Sequence, residues 1–309
     1  MQANLWKSWQ EQINKERIHE PVLLKEVLEQ FNLGAHLKSQ VRIIDATVGT
    51  GGHLMAFAKA KAQVLGIDAD PEMLAITRQR LAKEGLRTLV FQANFRNIDE
   101  IARQENFDNV EGILFDLGVS NTQLTDVKRG FSFAHPEVLL DMRIDPAGQG
   151  LTAADLLNAL RKDQLTVLFE RVLPYFQAKK LVGEIISVRE KEKIVTVGDF
   201  IRICQVIKGK KGLNPATLPF LALRLAVNCE LENLAQGLPR AFTLLAKRGR
   251  LLAITFHSAE EKIVVNFFRE RKYLGLAKIV TKQPILPSRA ERLQNPKARS
   301  AKLFVLEKI

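Results

Sequence analysis

The sequence predicts an α/β fold, with a mainly parallel seven-stranded sheet and an inserted all-helical segment. The first observation is that short β-rich runs alternate with helical patterns between residues 41 and 116. The second is a fifth β-rich run that comes only at 249–256. The third is a further pair of such runs, at 275–281 and 301–308. Alternating strands and helices are typical of a parallel sheet wound by right-handed crossovers.

Four strands and two helices are predicted in the first part of the chain. The strands are VRIID, QVLGID, TLVFQ and VEGILFD, at 41–45, 63–68, 88–92 and 110–116. We expect helices over 52–61 and 71–85, because Pro71 suits a first helical turn and Gly85 a helix end. Ligands of such sheets bind beyond the carboxyl ends of the strands, so a site is expected there.

A long insertion separates the fourth strand from the fifth. The chain between Asp116 and Gly249 is far longer than one crossover helix requires. We expect residues 217–246 to supply that crossover, as a helix broken near Gly237-Leu238-Pro239. The predicted domains are therefore a first domain of 1–131 with 214–309, and an inserted helical domain of 132–213.

The other elements follow from shorter patterns. Apolar residues recur with helical spacing at 152–171 and 175–192, and the basic IKGKKGLN at 207–214 indicates a loop. After the fifth strand we expect a helix over 258–272. A polar, proline-containing segment, 282–300, connects the last two strands.

The composition of the 309 residues argues against several classes of protein. A hydrophobic content of 46% is enough for a core, yet no apolar run is long enough to cross a membrane. The first residues carry acidic side chains and no apolar stretch, which argues against a signal or transit peptide. We therefore expect a cytoplasmic protein. Cys204 and Cys229 lack CxxC spacing, so neither a disulfide framework nor a metal site is indicated.

The net charge of +12 is concentrated in one part of the chain. Residues 1–130 carry 16 basic and 17 acidic side chains, whereas residues 131–309 carry 30 and 17. Within the second part, 171–213 holds 10 basic and 4 acidic residues, and 269–309 holds 11 and 3. Scattered excess charge often serves solubility alone. Two concentrated basic segments favour a polyanionic partner, most naturally nucleic acid.

The segment DATVGTGGH, residues 45–53, predicts a ligand site. Its glycines allow a tight turn and a close approach of a ligand to the backbone, and the following helix adds an electropositive N-terminus. A plain strand-to-helix turn is the alternative. Asp68 strengthens the case, because an acidic side chain at the end of the second strand is placed to accept hydrogen bonds from both hydroxyls of a ribose.

Ribose recognition fits both NAD and S-adenosylmethionine. Three details favour S-adenosylmethionine. The loop lacks the GxGxxG spacing of dinucleotide binders, Asp45 is a partner for a positive ligand group, and an antiparallel strand pair follows the fifth strand. NAD, and with it an oxidoreductase, stays open as the alternative.

Two further segments carry polar candidates. Asp116 ends the fourth strand and precedes LGVSNTQLTD, where a reacting group would be held; an N-cap with a surface turn is the alternative. His257 follows the fifth strand, and either lines the same edge or packs beside a capping box of Ser258 and Glu261. No Ser/His/Asp or Cys/His order indicates covalent catalysis.

Nine segments carry a combined signature. In chain order they are HEPVLLKEVL (19–28), DATVGTGGH (45–53), GIDADP (66–71), GILFDLGVSNTQL (112–124), RGFSF (129–133), LDMRID (140–145), NPAT (214–217), FHSAEEKIV (256–264) and NPKARSAKLFVLEK (295–308). Together they resemble the RsmH (MraW) family, whose members use S-adenosylmethionine to methylate the N4 amine of a cytidine in the decoding region of small-subunit ribosomal RNA. The resemblance covers about residues 18–308, and RGFSF, LDMR and FHS are far more specific than a glycine loop.

The resemblance implies a class I (Rossmann-like) methyltransferase fold with a helical insertion that recognises RNA. It implies cofactor contacts at Gly51, Gly52, His53, Asp68, Phe95, Asp116 and Gln123. Two stretches depart from the family pattern: DLGVSSPQLD reads DLGVSNTQLTD here, and FHSLEDRIVK reads FHSAEEKIVV. Because Thr122 stands where the family has proline, the loop that contains it is expected to be looser. A non-catalytic RNA-binding or assembly protein therefore stays open as an alternative.

Roles follow for methyl transfer to a cytidine amine. At the reacting group we expect Asp116, Ser120, Asn121 and His257. Phe131, Phe133, Asp141 and Arg143 are expected to receive the base, with core packing as the alternative for the two rings. Phosphates would be held by Lys208, Lys210, Lys211, Arg289, Arg292, Lys297 and Arg299. The expected partner is small-subunit ribosomal RNA in an assembled subunit, and a homodimer stays open.

Overall fold

The computed structural model describes residues 21–33, 41–209, 212 and 214–309. The described chain packs as two compact units. The first comprises the chain up to Gly118 together with Asn233–Ile309, and the second is Val119–Glu232. The second unit extends further at both ends than the predicted insertion, because Phe131 on one side and Phe220 on the other lie in its core.

Strands and helices alternate through the first unit. The strands are β1 (Arg42–Asp45), β2 (Gln63–Asp68), β3 (Leu89–Gln92), β4 (Val110–Asp116), β5 (Leu245–Thr255), β6 (Ala277–Ile279) and β7 (Lys302–Lys308). The helices of both units, in chain order, are α1 (Leu24–Gln30), α2 (Gly52–Lys59), α3 (Pro71–Lys83), α4 (Ile98–Gln104), α5 (Asn121–Thr125), α6 (Ala153–Ala159), α7 (Lys162–Glu170), α8 (Tyr175–Arg189), α9 (Val197–Cys204), α10 (Thr217–Val227), α11 (Glu230–Leu244), α12 (Ser258–Tyr273) and α13 (Arg289–Gln294). Each predicted strand is present, and β5 begins at Leu245 rather than Gly249.

The seven strands form one sheet in the order β3-β2-β1-β4-β5-β7-β6. β1 to β5 run parallel, and β7 runs antiparallel to both of its neighbours. The mainly parallel seven-stranded sheet is thereby confirmed. The strand order reverses between β1 and β4. Asp45, Asp68 and Asp116 end β1, β2 and β4, so three carboxylates share the edge at which such sheets bind ligands.

Both faces of the sheet are buried. Alternate residues of a strand point to opposite faces. Ile44, Ile113 and Phe115 belong to an apolar cluster that includes α4, α11 and α12. Ile43 and Leu114 belong to a second cluster that includes α1, α2 and α3. Packing on both sides holds the strand ends, and therefore the three carboxylates, at fixed positions.

The second unit has an apolar core of its own. Its helices α6 to α10 contribute the fully buried side chains Leu157, Phe169, Leu181, Phe200 and Leu223. Thr152 caps α6 through reciprocal contacts with Asp155, and Thr196 caps α9 in the same way with Asp199. No strand longer than an isolated bridge occurs among the described residues of this unit.

The connection from α10 to β5 differs from the prediction. The helical stretch breaks at Asn228 and Cys229, and α11 continues through Gly237 and Pro239. Cys229 has a φ of 48°, which ends the helical hydrogen-bond pattern there. Pro239 removes one backbone donor from α11. Burial of Leu238 against the sheet holds the helix together despite that loss.

Replacing Gly237 by alanine is expected to destabilise the protein, although alanine is the better helix former by about 1 kcal/mol. A Cβ there would lie 2.9 Å from Cδ2 and 3.1 Å from the carbonyl oxygen of Phe95. Overpacking of this kind costs about 1–3 kcal/mol. Gly183→Ala in α8 is the matched control, because its Cβ would meet no atom within 4 Å. Urea unfolding measures both; equal stabilisation of the two variants would contradict the close approach.

Two features are absent from the described residues. No helix among them is both long and apolar enough to cross a bilayer. Nor do they contain a group of three or more His, Cys, Asp or Glu side chains that could hold a metal ion. Cys204 is buried in α9 and Cys229 is exposed, and the two form no disulfide.

Candidate functional site

The glycine loop between β1 and α2 is held from two sides. Gly49 and Gly51 have φ values of 51° and 84°, which residues with a side chain rarely adopt. Gly49 donates its N–H to Asp68 Oδ2 at 2.6 Å, and its carbonyl accepts the hydroxyl of Thr77 at 2.9 Å. A Cβ on Gly51 would lie 3.0 Å from Thr77. The loop therefore keeps its open backbone only with glycine at these positions.

Asp68, at the end of β2, is oriented by backbone donors. Its Oδ2 accepts the N–H of Gly49, and its Oδ1 accepts the N–H of Asp70 at 2.9 Å. Burial raises the pKa of Asp68 to about 6, against the lowering effect of these hydrogen bonds. A carboxylate has about four acceptor positions, so the side chain keeps capacity for a hydroxyl of a ligand.

Asp45 and His53, which are buried, and Asp116, which is partly exposed, form a polar cluster beside the loop. His53 Nε2 lies 3.5 Å from Asp116 Oδ2, and the imidazole stacks on Phe57 one turn further along α2. Four polar atoms of this cluster have no hydrogen-bond partner in the described chain: Asp45 Oδ2, both ring nitrogens of His53, and Asp116 Oδ1. Because buried polar atoms are normally satisfied, the cluster is arranged to meet a further polar group.

Burial governs the ionisation of Asp45. It raises the pKa of Asp45 from 3.8 to about 7, although the His53 charge and the Thr47 N–H lower it. The unfolded chain therefore loses this proton at a lower pH than the folded protein does. The contribution of Asp45 to stability is full below about pH 4 and is lost as the pH rises toward 7.

We expect Asp45→Asn to stabilise the free protein at pH 8 by roughly 2–4 kcal/mol, because asparagine keeps the shape and removes a buried charge. The gain should shrink as the pH falls from 8 toward 4, because Asp45 binds its proton near pH 7 in the folded protein and only near 3.8 in the unfolded chain. Urea unfolding across this pH range measures the difference, with the exposed Asp108→Asn as control. A gain that does not change with pH would contradict the raised pKa.

Three supporting side chains were missed in the sequence. Thr47 Oγ1 accepts the N–H of Asp116 at 2.6 Å and so ties the end of β4 to β1. Thr77 and Arg80, both on α3, donate to carbonyls of the glycine loop. Residues three apart share one face of a helix, so the spacing of Thr77 and Arg80 could have identified both from the sequence.

Phe95 lies at the same edge of the sheet, in the 3₁₀ turn Phe95–Asn97 that follows β3. Its ring meets Phe115 edge-on, with 5.5 Å between the ring centroids. The close approach of Gly237 described above supports the Phe95 backbone from the other side. Phe95 therefore has a fixed position, one strand beyond Asp68.

Ser120, Asn121 and Gln123 belong to the second unit, at the start of α5. Ser120 Oγ accepts the N–H of Gln123 at 3.1 Å, and Gln123 Oε1 accepts the N–H of Ser120 at 2.6 Å. This capping box makes Asn121 and Thr122 the first two helical residues. The capping box therefore defines the helix start without the proline of the family pattern. It offsets the loosening of the loop that is expected from Thr122.

His257, rather than Ser258, caps α12. Its Nδ1 accepts the N–H of Glu260 at 3.4 Å, and the Glu260 carboxylate accepts the N–H of Phe256 at 2.8 Å. The predicted box of Ser258 with Glu261 is wrong by one residue. The reason is that His257 has extended backbone angles, φ −145° and ψ 163°, and a ring nitrogen that accepts as a capping oxygen would.

Four further predicted site residues lie in the second unit and make internal contacts there. Phe131 is buried, and Phe133 packs edge-on against Phe220 at 4.6 Å. Arg143 donates to both carboxylate oxygens of Asp141, at 2.8 and 2.7 Å. Burial would raise the pKa of Asp141, but the hydrogen bonds and charge of Arg143 lower it overall. Contact of these side chains with a base stays a prediction.

The predicted phosphate contacts are mostly surface side chains. The exposed ones are Lys208, Arg289, Arg292 and Arg299, and Lys297 is partly buried. Lys210 and Lys211 lie outside the described residues. The four C-terminal ones share a short segment that consists of α13 and the 3₁₀ turn Pro296–Ser300. These four charges therefore fall within eleven positions of sequence.

A model of the MraW methylase family matches residues 16–309. The chain belongs to the MraW methylase family. A relative in Sulfurihydrogenibium sp., named ribosomal RNA small subunit methyltransferase H, is 39% identical over 297 residues, 94% of this chain and 99% of the relative. The relative of that name in Methylacidiphilum infernorum is 40% identical over 307 residues, 94% of each chain. Among solved structures, an rRNA methylase from Streptococcus thermophilus is 12% identical, with a TM-score of 0.45 over 94% of this chain and 99% of that one.

Membership in the MraW methylase family confirms the resemblance carried by the nine motifs. It also decides between the two classes of enzyme that the glycine loop left open, because a methylase family does not transfer hydride to NAD. The first motif, 19–28, lies partly outside the described residues. The other motifs of this MraW methylase that the structure describes include the ends of β1, β2 and β4 and the residues that directly follow β5.

Proposed function

We propose that this MraW methylase transfers a methyl group from S-adenosylmethionine to the N4 amine of a specific cytidine in the decoding region of 16S ribosomal RNA. Relatives named ribosomal RNA small subunit methyltransferase H match nearly the whole chain. Their name supports small-subunit ribosomal RNA as the substrate. The choice of the N4 atom and of the decoding region rests on the motif resemblance.

The carboxyl edge of the sheet fits S-adenosylmethionine in charge and in hydrogen-bonding capacity. Asp68 offers acceptors for the ribose hydroxyls, and the N–H groups at the start of α2 suit a carboxylate. Asp45 Oδ2 and Asp116 Oδ1, which lack partners in the described chain, suit positively charged or N–H groups. We therefore assign the cofactor contacts to Gly51, Gly52, His53, Asp68, Phe95, Asp116 and Gln123.

The observation that carries the proposal is the unsatisfied cluster at Asp116. Bound S-adenosylmethionine supplies an electrophilic methyl group on a sulfonium. The cytosine amine is a poor nucleophile, because its lone pair is delocalised into the ring. Asp116 accepts a hydrogen bond from that amine, which orients the nitrogen and raises its electron density. The amine loses one proton as the new N–C bond forms, and Asp116 is the acceptor we assign.

His53 supports this role of Asp116. Its Nε2 lies 3.5 Å from Asp116 Oδ2, so the imidazole is placed to orient this carboxylate. Ser120 and Asn121 follow Asp116 by four and five residues in the chain and stay assigned to the surroundings of the amine. His257 is committed to the cap of α12, so we assign it no proton transfer.

The substrate base must leave its stack to be methylated, at a cost of a few kcal/mol that is least in irregular RNA. The basic excess in 131–309 provides phosphate contacts that offset this cost. The substrate we propose is RNA in an assembled small subunit, in the cytoplasm where ribosomes are made. Binding of this kind weakens steeply as salt concentration rises.

The decisive experiment is incubation of the purified protein and radiolabelled S-adenosylmethionine with small ribosomal subunits that lack this methylation. Nucleoside analysis of the RNA should place the label in N4-methylcytidine. Label in another nucleoside would show that a different atom is methylated and would overturn the proposed one. Bound cofactor without any label would favour a non-catalytic RNA-binding protein.

A further inference from the structure

A pocket of about 400 Å³ lies in the first unit at the carboxyl end of β5. One wall is the turn from β5 into α12, with His257 and Ser258. The opposite wall comes from the segment that precedes β7, and we call residues 282–300 the C-terminal arm. Ligand pockets measure about 300–1,000 Å³, so this one suits a group of the size of a single nucleotide.

The pocket has a cationic side. Arg292, Arg299 and Lys302 line it. Lys302 Nζ lies 2.8 Å from Glu261 Oε2, so that charge is compensated within the pocket. Neither guanidinium group has an acidic partner in the part of the chain that the structure describes, and Arg299 Nε donates only to the carbonyl of Arg292. Guanidinium groups with free donors bind phosphate in a bidentate manner.

The pocket also has an apolar side. Leu286 and Pro287, from the C-terminal arm, line it beside Ala301. Leu286 is 55% exposed, so its side chain is accessible to a ligand in the pocket. A free phosphate would use the arginines alone. A nucleotide uses both sides, because its phosphate is anionic and its base has an apolar face that packs on such a surface.

The C-terminal arm is held in place by the rest of the first unit. Ile285 and Leu303 exchange two backbone hydrogen bonds of 2.9 Å. Glu291 Oε1 accepts the N–H of Leu23 at 2.7 Å. Ser288 caps α13, and buried Asn295 caps the following 3₁₀ turn. The arginines are therefore carried by a wall that is ordered before any RNA binds, which lowers the entropic cost of binding.

The pocket lies one strand away from Asp116. Asp116 pairs with Ile254 in the sheet, and Leu117 donates its N–H to the Ile254 carbonyl at 3.1 Å. The pocket begins at the next residue, Thr255. Neighbouring strands are about 4.8 Å apart, a distance that one step along an RNA backbone spans.

From this geometry, and resting on the proposed function, we infer that the pocket binds one unpaired nucleotide next to the target cytidine. Arg292 and Arg299 hold its phosphate, and Leu286 and Pro287 support its base. The pocket thereby fixes the direction in which the RNA strand crosses the sheet edge. His257 acts as part of its wall rather than at the reacting amine.

The test is the double variant Arg292→Ala/Arg299→Ala. We expect its affinity for a short single-stranded RNA of decoding-region sequence to fall at least about tenfold, and the salt dependence to flatten by about 0.7 in log–log slope per phosphate lost. The matched control is Arg269→Ala/Lys272→Ala, which removes the same charge from two exposed positions further along α12. Calorimetric affinity for S-adenosylmethionine should be unchanged in both double variants.

Fluorescence anisotropy measures RNA binding without turnover, so this test is separate from that of the proposed function. Equal RNA affinity of the two double variants would overturn the pocket assignment even if the wild type methylates its substrate. Leu286→Ser should weaken binding of the RNA but leave inorganic phosphate binding unchanged. If Leu286→Ser binds RNA as tightly as the wild type, the base is not held here, and the nucleotide assignment fails.

Discussion

Asp116→Asn is expected to lower kcat for methyl transfer by roughly 10²–10⁴-fold, the usual contribution of a positioned proton acceptor. Asparagine preserves the shape of the side chain and the backbone hydrogen bond from Asp116 to Thr47 Oγ1. It replaces one acceptor oxygen by an NH₂ group, which repels the amine it should orient. Single-turnover methylation of small ribosomal subunits measures the loss.

The matched control for this variant is Glu111→Gln. Glu111 lies on the same strand, β4, but near its other end, where it accepts the N–H of Arg42 at 2.8 Å. Glutamine keeps an acceptor there, so kcat should stay close to that of the wild type. Calorimetric affinity of Asp116→Asn for S-adenosylmethionine separates chemistry from cofactor binding. If kcat of Asp116→Asn stays within threefold of the control, Asp116 is not the acceptor.

Asp68→Ala is expected to weaken S-adenosylmethionine binding by roughly 1–3 kcal/mol, a rise of about 5- to 150-fold in Kd. Alanine removes the ribose acceptor and the carboxylate that holds the Gly49 N–H. Asp68→Asn should lose less, because it keeps one oxygen acceptor. Isothermal titration calorimetry measures all three proteins, and unchanged affinity of Asp68→Ala would refute the ribose assignment.

The raised pKa of Asp68 adds a pH dependence to this prediction. Ribose hydroxyls donate better to the ionised carboxylate than to the acid. Since burial raises the pKa of Asp68 to about 6, cofactor affinity of the wild type should fall as the pH drops through 6. Asp68→Asn has no such group, so its affinity should depend less on pH in that range.

The sequence predicted the sheet and the three carboxylates at its edge for a simple reason. In a doubly covered parallel sheet, the strands are mainly apolar runs, and a carboxylate directly after such a run marks the strand end. Asp45, Asp68 and Asp116 each occupy that position. The local sequence pattern therefore specified both each strand and the position of the aspartate at its end.

The hydrogen bonds that support the site could not be predicted in this way. Thr47 and Asp116 are 69 residues apart, and Thr77 and Gly49 are 28 apart. No local pattern specifies which distant hydroxyl meets which backbone group. Among the described residues the ring nitrogens of His53 have no hydrogen-bond partner. This depends on burial in three dimensions and leaves no signal in the sequence.

The break between α10 and α11 shows how tertiary packing overrides local signals. Gly237 and Pro239 predicted a helix end, because both residues are poor helix formers. In the structure the helix continues, since Leu238 is buried against the sheet and Gly237 permits the approach to Phe95. The observed break uses Asn228 and Cys229, whose signal in sequence is much weaker.

The strand order also bears on how the chain reaches its native state. β7 lies between β5 and β6 although it is synthesised after both. On the ribosome, β5 therefore exposes one edge of backbone donors and acceptors until residues 302–308 have emerged. The second unit, Val119–Glu232, is continuous in sequence and has no such delay. We expect the helices of the second unit to fold before β7 has joined the sheet. A nascent chain halted before β7 would therefore expose an edge of β5 that is prone to aggregation.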